Sequence, residues 1–222
     1  IYVHSDNNDE EDNYEAAKGM VADASTGDAT TIVNKGTIYV KGGTGMLATS
    51  NAKDRKSEIT NEGTIHVINS GFGMSLGGKD ASGVEMTNKG TIIASGKNAY
   101  GITASDATDG KVTNEGTIIA TDGAIAISSG RWNKDVDFSL ILKGNSHVEG
   151  VIELGKGSEL TVENLARAET IVLSSGTSEK VNALDDASCD GCNVGSVHVN
   201  NSNLTIRSSD ESQTLKIGLI TT

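Results

Sequence analysis

Aliphatic residues recur along this chain in short sets spaced two apart, with polar turns between them. One set reads 1-IYV-3, 38-IYV-40, 65-IHV-67, 92-IIA-94 and 118-IIA-120. A second reads 19-GMVA-22, 45-GMLA-48, 73-GMSL-76, 101-GITA-104 and, with Ala for Gly, 124-AIAI-127. A third reads 32-IVN-34, 59-ITN-61, 86-MTN-88 and 112-VTN-114. Alternation over three to five residues is the period of a strand with one face buried, and the runs are too short for helices. Only 11-EDNYEAAK-18 and 163-ENLARAE-169 carry enough helix formers for a helical turn or two.

The three sets interleave at a fixed period. A pentapeptide marks it: 34-NKGTI-38, 61-NEGTI-65, 88-NKGTI-92 and 114-NEGTI-118, at spacings of 27, 27 and 26 residues. Such a period means an array of supersecondary units. Three short strands per unit cannot close a sheet among themselves, but each can pair with its equivalent in the next unit. The expected fold is therefore all-β: a parallel β-helix with three strands per coil and about 26–27 residues per repeat.

Side-chain alternation then assigns the columns. Ile1, Ile38, Ile65, Ile92 and Ile118 point inward with Val3, Val40, Val67, Ala94 and Ala120. Met20, Met46, Met74, Ile102 and Ile125 line strand two, and Ile32, Ile59, Met86 and Val112 line strand three. Asn34, Asn61, Asn88 and Asn114 each follow an inward residue by two, so they too point inward, at a corner. At about 4.8 Å per coil their amides can hydrogen-bond in a ladder, and the Gly after each is expected to supply the positive φ of a tight turn. Regular repeats are expected over 1–130 and irregular coils over 131–222, where alternation persists without the Asn corner.

Composition agrees with strands and turns: 222 residues hold 27 Gly, no Pro, two Phe, one Trp and four Tyr. A formal net charge of −12 argues against a nucleic-acid surface, which needs clustered Lys and Arg. No run approaches the roughly 18 apolar residues of a membrane helix. Because 1-IYVH-4 aligns with 38-IYVK-41, the chain reads as an excised piece of a longer protein.

Cys189 and Cys192 form the single CxxC, 189-CDGC-192. Such a pair can be a redox couple, half of a zinc site or a tight disulfide. There is no second CxxC, His198 offers at most a third ligand, and the flanking strands lack a βαβ context. A local disulfide in an oxidising compartment is expected, worth about 2 kcal/mol on the chain-entropy model.

The pentapeptide repeats with their G-M and G-I strands, followed by 142-LKGNSHVEGVIELG-155, resemble the passenger region of Gram-negative classical (type V) autotransporters. The resemblance is clear from Ile1 to about Val162 and looser beyond. It implies a right-handed β-helix, secreted through an outer-membrane barrel and displayed on the cell surface, often as a virulence adhesin. It also implies membrane attachment only through a C-terminal barrel that this chain does not contain, and it suits a sparse, close Cys pair.

If the inward columns are structural, function lies on the outer faces and in the inserted loops. The outward column of strand one, Tyr2, Tyr39, His66, Ile93 and Ile119, can contact a protein or a glycan; equally, such a ladder can simply stabilise the sheet. Arg131 beside Trp132 is a candidate hot spot, or Trp132 a plug where the repeat turns irregular. In 4-HSDNNDEEDNYE-15, Asp6, Asn8, Glu10 and Asp12 mimic calcium-loop spacing, but Glu11 stands where the bend needs Gly, so no metal is expected. The basic loop 51-NAKDRK-56 can meet an acidic partner or be solvated. Asp106 with Asp109 and Asp135 with Asp137 are the carboxylate pairs open to polysaccharide cleavage, without the needed Arg and Lys array; His4, His66, His147 and His198 are isolated from any nucleophile turn.

The expectation is a non-enzymatic, cofactor-free adhesin that binds a host cell-surface protein, a glycan or a copy of itself. A stalk for a distal domain is the alternative, and a polysaccharide-acting enzyme the second.

Overall fold

The computed structural model describes residues 1–4, 17–23, 30–50, 56–77, 83–104, 110–128, 138–154, 158–174, 194–209 and 217–221. The first coil is β1 (Tyr2–His4), β2 (Ala17–Asp23) and β3 (Thr30–Asn34), and the second β4 (Thr37–Lys41), β5 (Gly43–Thr49) and β6 (Ser57–Asn61). In the next two coils strands one and two merge around the corner, as β7 (Thr64–Gly77) with β8 (Val84–Asn88) and β9 (Thr91–Thr103) with β10 (Gly110–Asn114). A fifth coil holds β11 (Thr117–Thr121), β12 (Ile125–Ser128) and β13 (Phe138–Gly144). Beyond it come β14 (His147–Glu149), β15 (Val151–Glu153), β16 (Glu159–Leu165), β17 (Glu169–Ser174), β18 (Val194–Asn200), β19 (Leu204–Ser208) and β20 (Ile217–Thr221). Among the described residues there is no helix: Glu163–Leu165 closes β16 and Glu169 opens β17, while Ala17 and Lys18 begin β2.

All pairing is parallel, coil on coil. A 12-stranded sheet carries strands one and two, and an eight-stranded sheet runs β20-β18-β16-β13-β10-β8-β6-β3. This is a parallel β-helix, and its stacking continues to β20. A single cluster of buried aliphatic side chains fills it, from Val3 through Ile38, Met46, Ile65, Met74, Met86, Ile92 and Ile118 to Leu160, Leu173 and Val197. No coil can bury its own apolar face, so each depends on its neighbours.

Four local details differ from the expectations. Ile1 is 55% exposed; Met20 and Ile32, also in the first coil, are partly buried, because among the described residues no strand pairs with β1, β2 or β3 on that side. Ile127, not Ile125, takes the column of Met74 and Ile102: β12 pairs Ile127 with Ile102 and Ile125 with Tyr100. The register shift that follows, between Ile125 and Ile127 against β15, is invisible to a pattern match.

The third difference is the role of the pentapeptide glycine. Gly36, Gly63, Gly90 and Gly116 do not have positive φ. Instead the backbones of successive coils nearly touch there. A Cβ on Gly63 would lie 2.0 Å from the Gly36 carbonyl oxygen, one on Gly90 2.0 Å from that of Gly63, and one on Gly116 2.2 Å from that of Gly90. At Gly63, Gly90 and Gly116 the corner leaves no room for a side chain. The strand-two glycines Gly19, Gly45, Gly73 and Gly101 stack in the same way, each Cβ position facing the carbonyl of the next coil at 2.5–2.7 Å. That column ends at Ala126, just where the register shifts.

The fourth concerns where the corner goes after the pentapeptides stop. In the regular coils Asn34 Nδ2 donates to Asn61 Oδ1 (2.8 Å), Asn61 to Asn88 (2.9 Å) and Asn88 to Asn114 (2.8 Å), and all four are buried. Asn114 Nδ2 then donates to Ser146 Oγ at 2.8 Å. From Gly144 onward the corner is built differently, with Gly144, Asn164 and Asn201 all in the left-handed region. Asn201 Nδ2 donates to Asn164 Oδ1 at 3.0 Å, so an amide pair persists, now exposed.

Candidate binding face

The outer face of strand one is built by the same alternation that buries Ile38 and Val40. Tyr2 stacks on Tyr39, Tyr39 on His66, His66 on Ile93, Ile93 on Ile119 and Ile119 on Glu149. The aromatic rings lie nearly parallel: Tyr2 to Tyr39 is 5.1 Å between centroids at 15°, and Tyr39 to His66 is 5.0 Å at 10°. Their faces are therefore spent on one another, apart from the outer face of Tyr2, and the column offers ring edges to a partner. A sugar that stacks on an aromatic needs a face.

A threonine column, Thr37, Thr64, Thr91 and Thr117, flanks the stripe on one side. The column of His4 and Lys41, continued by Ile68, Ser95 and Thr121, flanks it on the other. Ile68 and Tyr39 are substantially exposed. Across these three columns, from coil one to coil five, no Asp or Glu occurs, although the chain has 30 of them. Among the described residues, carboxylates stand only at the borders. Asp122 Oδ2 accepts from Ser95 Oγ (3.0 Å) and Thr121 Oγ1 (3.2 Å), which places it at the end of the Lys41 column.

The opposite border is a column that the sequence reading overlooked. It occupies the variable position of the pentapeptide at Lys35, Glu62, Lys89 and Glu115 and continues as Lys143 and Glu163, strictly alternating in sign. Lys35 Nζ is 3.7 Å from Glu62 and Lys143 Nζ is 3.4 Å from Glu115. The signal was in plain view as NKG, NEG, NKG, NEG.

Strand two carries a second stripe, also unforeseen: Phe72, Tyr100, Ile125, Val151 and Val172 align on successive coils outside the core cluster, Tyr100 buried and the other four partly buried. Phe72 and Tyr100 contact each other with tilted rings, 5.5 Å apart. At the later corner the Glu169 carboxylate, with only 7% of its side chain exposed, accepts from Arg167 Nε at 2.8 Å and meets His147 Nδ1 at 3.1 Å. A buried carboxylate needs such partners, so this trio holds the turn between β16 and β17 together.

Of the expected site residues, the structure brings Tyr2, Tyr39, His66 and Ile93 into one stripe and Asn34, Asn61, Asn88 and Asn114 into one ladder. Arg131, Trp132, Cys189, Cys192, the acidic loop 5–15, residues 51–55 and the Asp106/Asp109 and Asp135/Asp137 pairs lie outside the described residues.

No curated protein and no solved structure matches the chain. Residues 15–94, which include three of the four pentapeptides, are similar to a family described as the BigA third pectate lyase-like domain.

Proposed function

We infer that this chain is part of the passenger region of a Gram-negative autotransporter, displayed outside the outer membrane as an adhesin. Its contact surface is the strand-one face, with Tyr2, Tyr39, His66 and Ile93 at the centre. The observation that carries this is the continuous apolar and aromatic column on a face that, over the described residues of coils one to five, has no carboxylate, in a chain of net charge −12. A solvated face of such a protein has no reason to be cleared of acids, whereas a contact surface does. The β-helix and the similarity to the BigA domain support the same reading. Binding of host cell-surface protein fits better than glycan stacking, because the ring faces are already occupied.

The test is binding of the purified chain to epithelial cells and to a glycan array, beside Tyr39→Ser/His66→Ser and a deletion of 4–15. Saturable binding that is lost in the double variant, with circular dichroism unchanged, is the expected result. No binding to either target would leave a stalk for a distal domain as the better account. The family name also warrants an assay on polygalacturonate: release of unsaturated product would make the chain an enzyme and overturn the adhesin reading.

A further inference from the structure

The charges around the strand-one face are arranged to match a second copy of the same face. Along the corner border the signs run plus, minus, plus, minus at Lys35, Glu62, Lys89 and Glu115, beside Thr37, Thr64, Thr91 and Thr117 respectively. An alternating series of even length, read backwards, is its own complement. On the other border the cationic end is Lys41 and the anionic end is Asp122.

We propose that two copies pack face to face through this surface, with their coil axes antiparallel and a two-fold axis running along the strands between the His66 and Ile93 levels. Coil two of one copy then faces coil five of the other, and coil three faces coil four. Lys35 meets Glu115, Glu62 meets Lys89 and Lys41 meets Asp122, each contact occurring twice by symmetry. Along the centre, Tyr39 packs on Ile119 and His66 on Ile93 across the roughly 10 Å that separates stacked sheets. A pair with parallel axes lacks this match, because coils of equal number would then face each other and bring Lys35 against Lys41. Elsewhere the charge of −12 makes two copies repel. This face is where that repulsion is removed.

Four coils at about 4.8 Å and a strand width near 20 Å give roughly 400 Å² per copy, half of what a stable interface buries. The association is therefore weak, and it acts between arrays of displayed molecules, where many contacts sum. The inference rests on the reading of this face as a contact surface, and gives it a further partner, a second copy of the chain.

The experiment is sedimentation equilibrium of the whole chain up to several hundred micromolar, at low salt and at 1 M salt. The expected result is a reversible dimer, weakened in high salt. Lys41→Glu weakens it by about 2- to 30-fold, since two surface pairs are lost. Adding Thr121→Lys and Asp122→Asn to Lys41→Glu restores it, which no loss of folding could do. Ile93→Ser, an outward and half-buried position, abolishes it with circular dichroism unchanged. A chain that stays monomeric throughout, or a dimer indifferent to Lys41→Glu, overturns the proposal. If the monomeric chain still binds cells through Tyr39 and His66, self-association alone has failed; if it binds nothing, the contact surface itself has failed.

Discussion

The Asn114 side-chain amide donates to Ser146 Oγ at 2.8 Å, so a ladder of four asparagines ends on a hydroxyl and not on a fifth amide. A hydroxyl can accept from below without requiring an amide above it. The turn that carries Ser146 passes through Gly144 in the left-handed region, and the coils that follow turn likewise through Asn164 and Asn201.

Within the ladder each amide both donates and accepts. Asn88→Ala would remove the short bond of Asn61 Nδ2, leaving it the longer ones to the Gly63 and Thr91 carbonyls, and would take the Asn88 donor from Asn114 Oδ1, in a site with no solvent access. A loss of about 2–4 kcal/mol is expected from urea denaturation. Asn88→Asp restores the acceptor but not the donor and buries a charge, so it should be no better.

The pentapeptide glycines provide a paired test. Gly90→Ala forces a methyl into the Gly63 carbonyl and should cost about 1–3 kcal/mol or more. Gly36→Ala has nothing nearer than the Asn34 side-chain oxygen at 4.0 Å and should be close to neutral. Equal costs would mean that the glycines serve backbone conformation and not close approach.

Register in the fifth coil can be read from two isoleucines. Ile127 is fully buried in the column of Ile102, so Ile127→Ala should cost about 2–5 kcal/mol. Ile125 stacks on Tyr100 outside the core cluster, and Ile125→Ala should cost about 1 kcal/mol or less. The reverse order would restore the simple repeat alignment.

Lys89→Glu would line up three carboxylates with Glu62 and Glu115. The urea midpoint should fall at low salt and recover most of the difference near 1 M salt, where screening reaches about 3 Å. A salt-independent loss would mean that Lys89 acts through packing of its stem.

The alternating column bears on folding as well as on contact. The aliphatic columns and the Asn ladder are nearly identical from coil to coil, so neither distinguishes one coil from the next. A pairing that skips a coil puts Lys35 on Lys89 or Glu62 on Glu115. Like charges directly stacked disfavour that error.

What the sequence by itself determined is the part of the structure governed by local periodicity. Ile38, Ile65, Ile92 and Ile118 recur at the step of the coil, and a two-residue alternation leaves no other face for Tyr39 and His66. The inward direction of Asn61 and Asn88 follows from the same parity. Tertiary structure alone decided the rest, because it depends on what the next coil presents. Whether Gly63 is needed for φ or for space is set by the carbonyl of Gly36, 27 residues away. Ile127 displaces Ile125 because β12 pairs with β9 in the register that sets Ile127 on Ile102, a constraint that a chain pattern does not contain. The sign match around the strand-one face likewise becomes a surface only after stacking brings residues of four coils to within a few ångströms of one another.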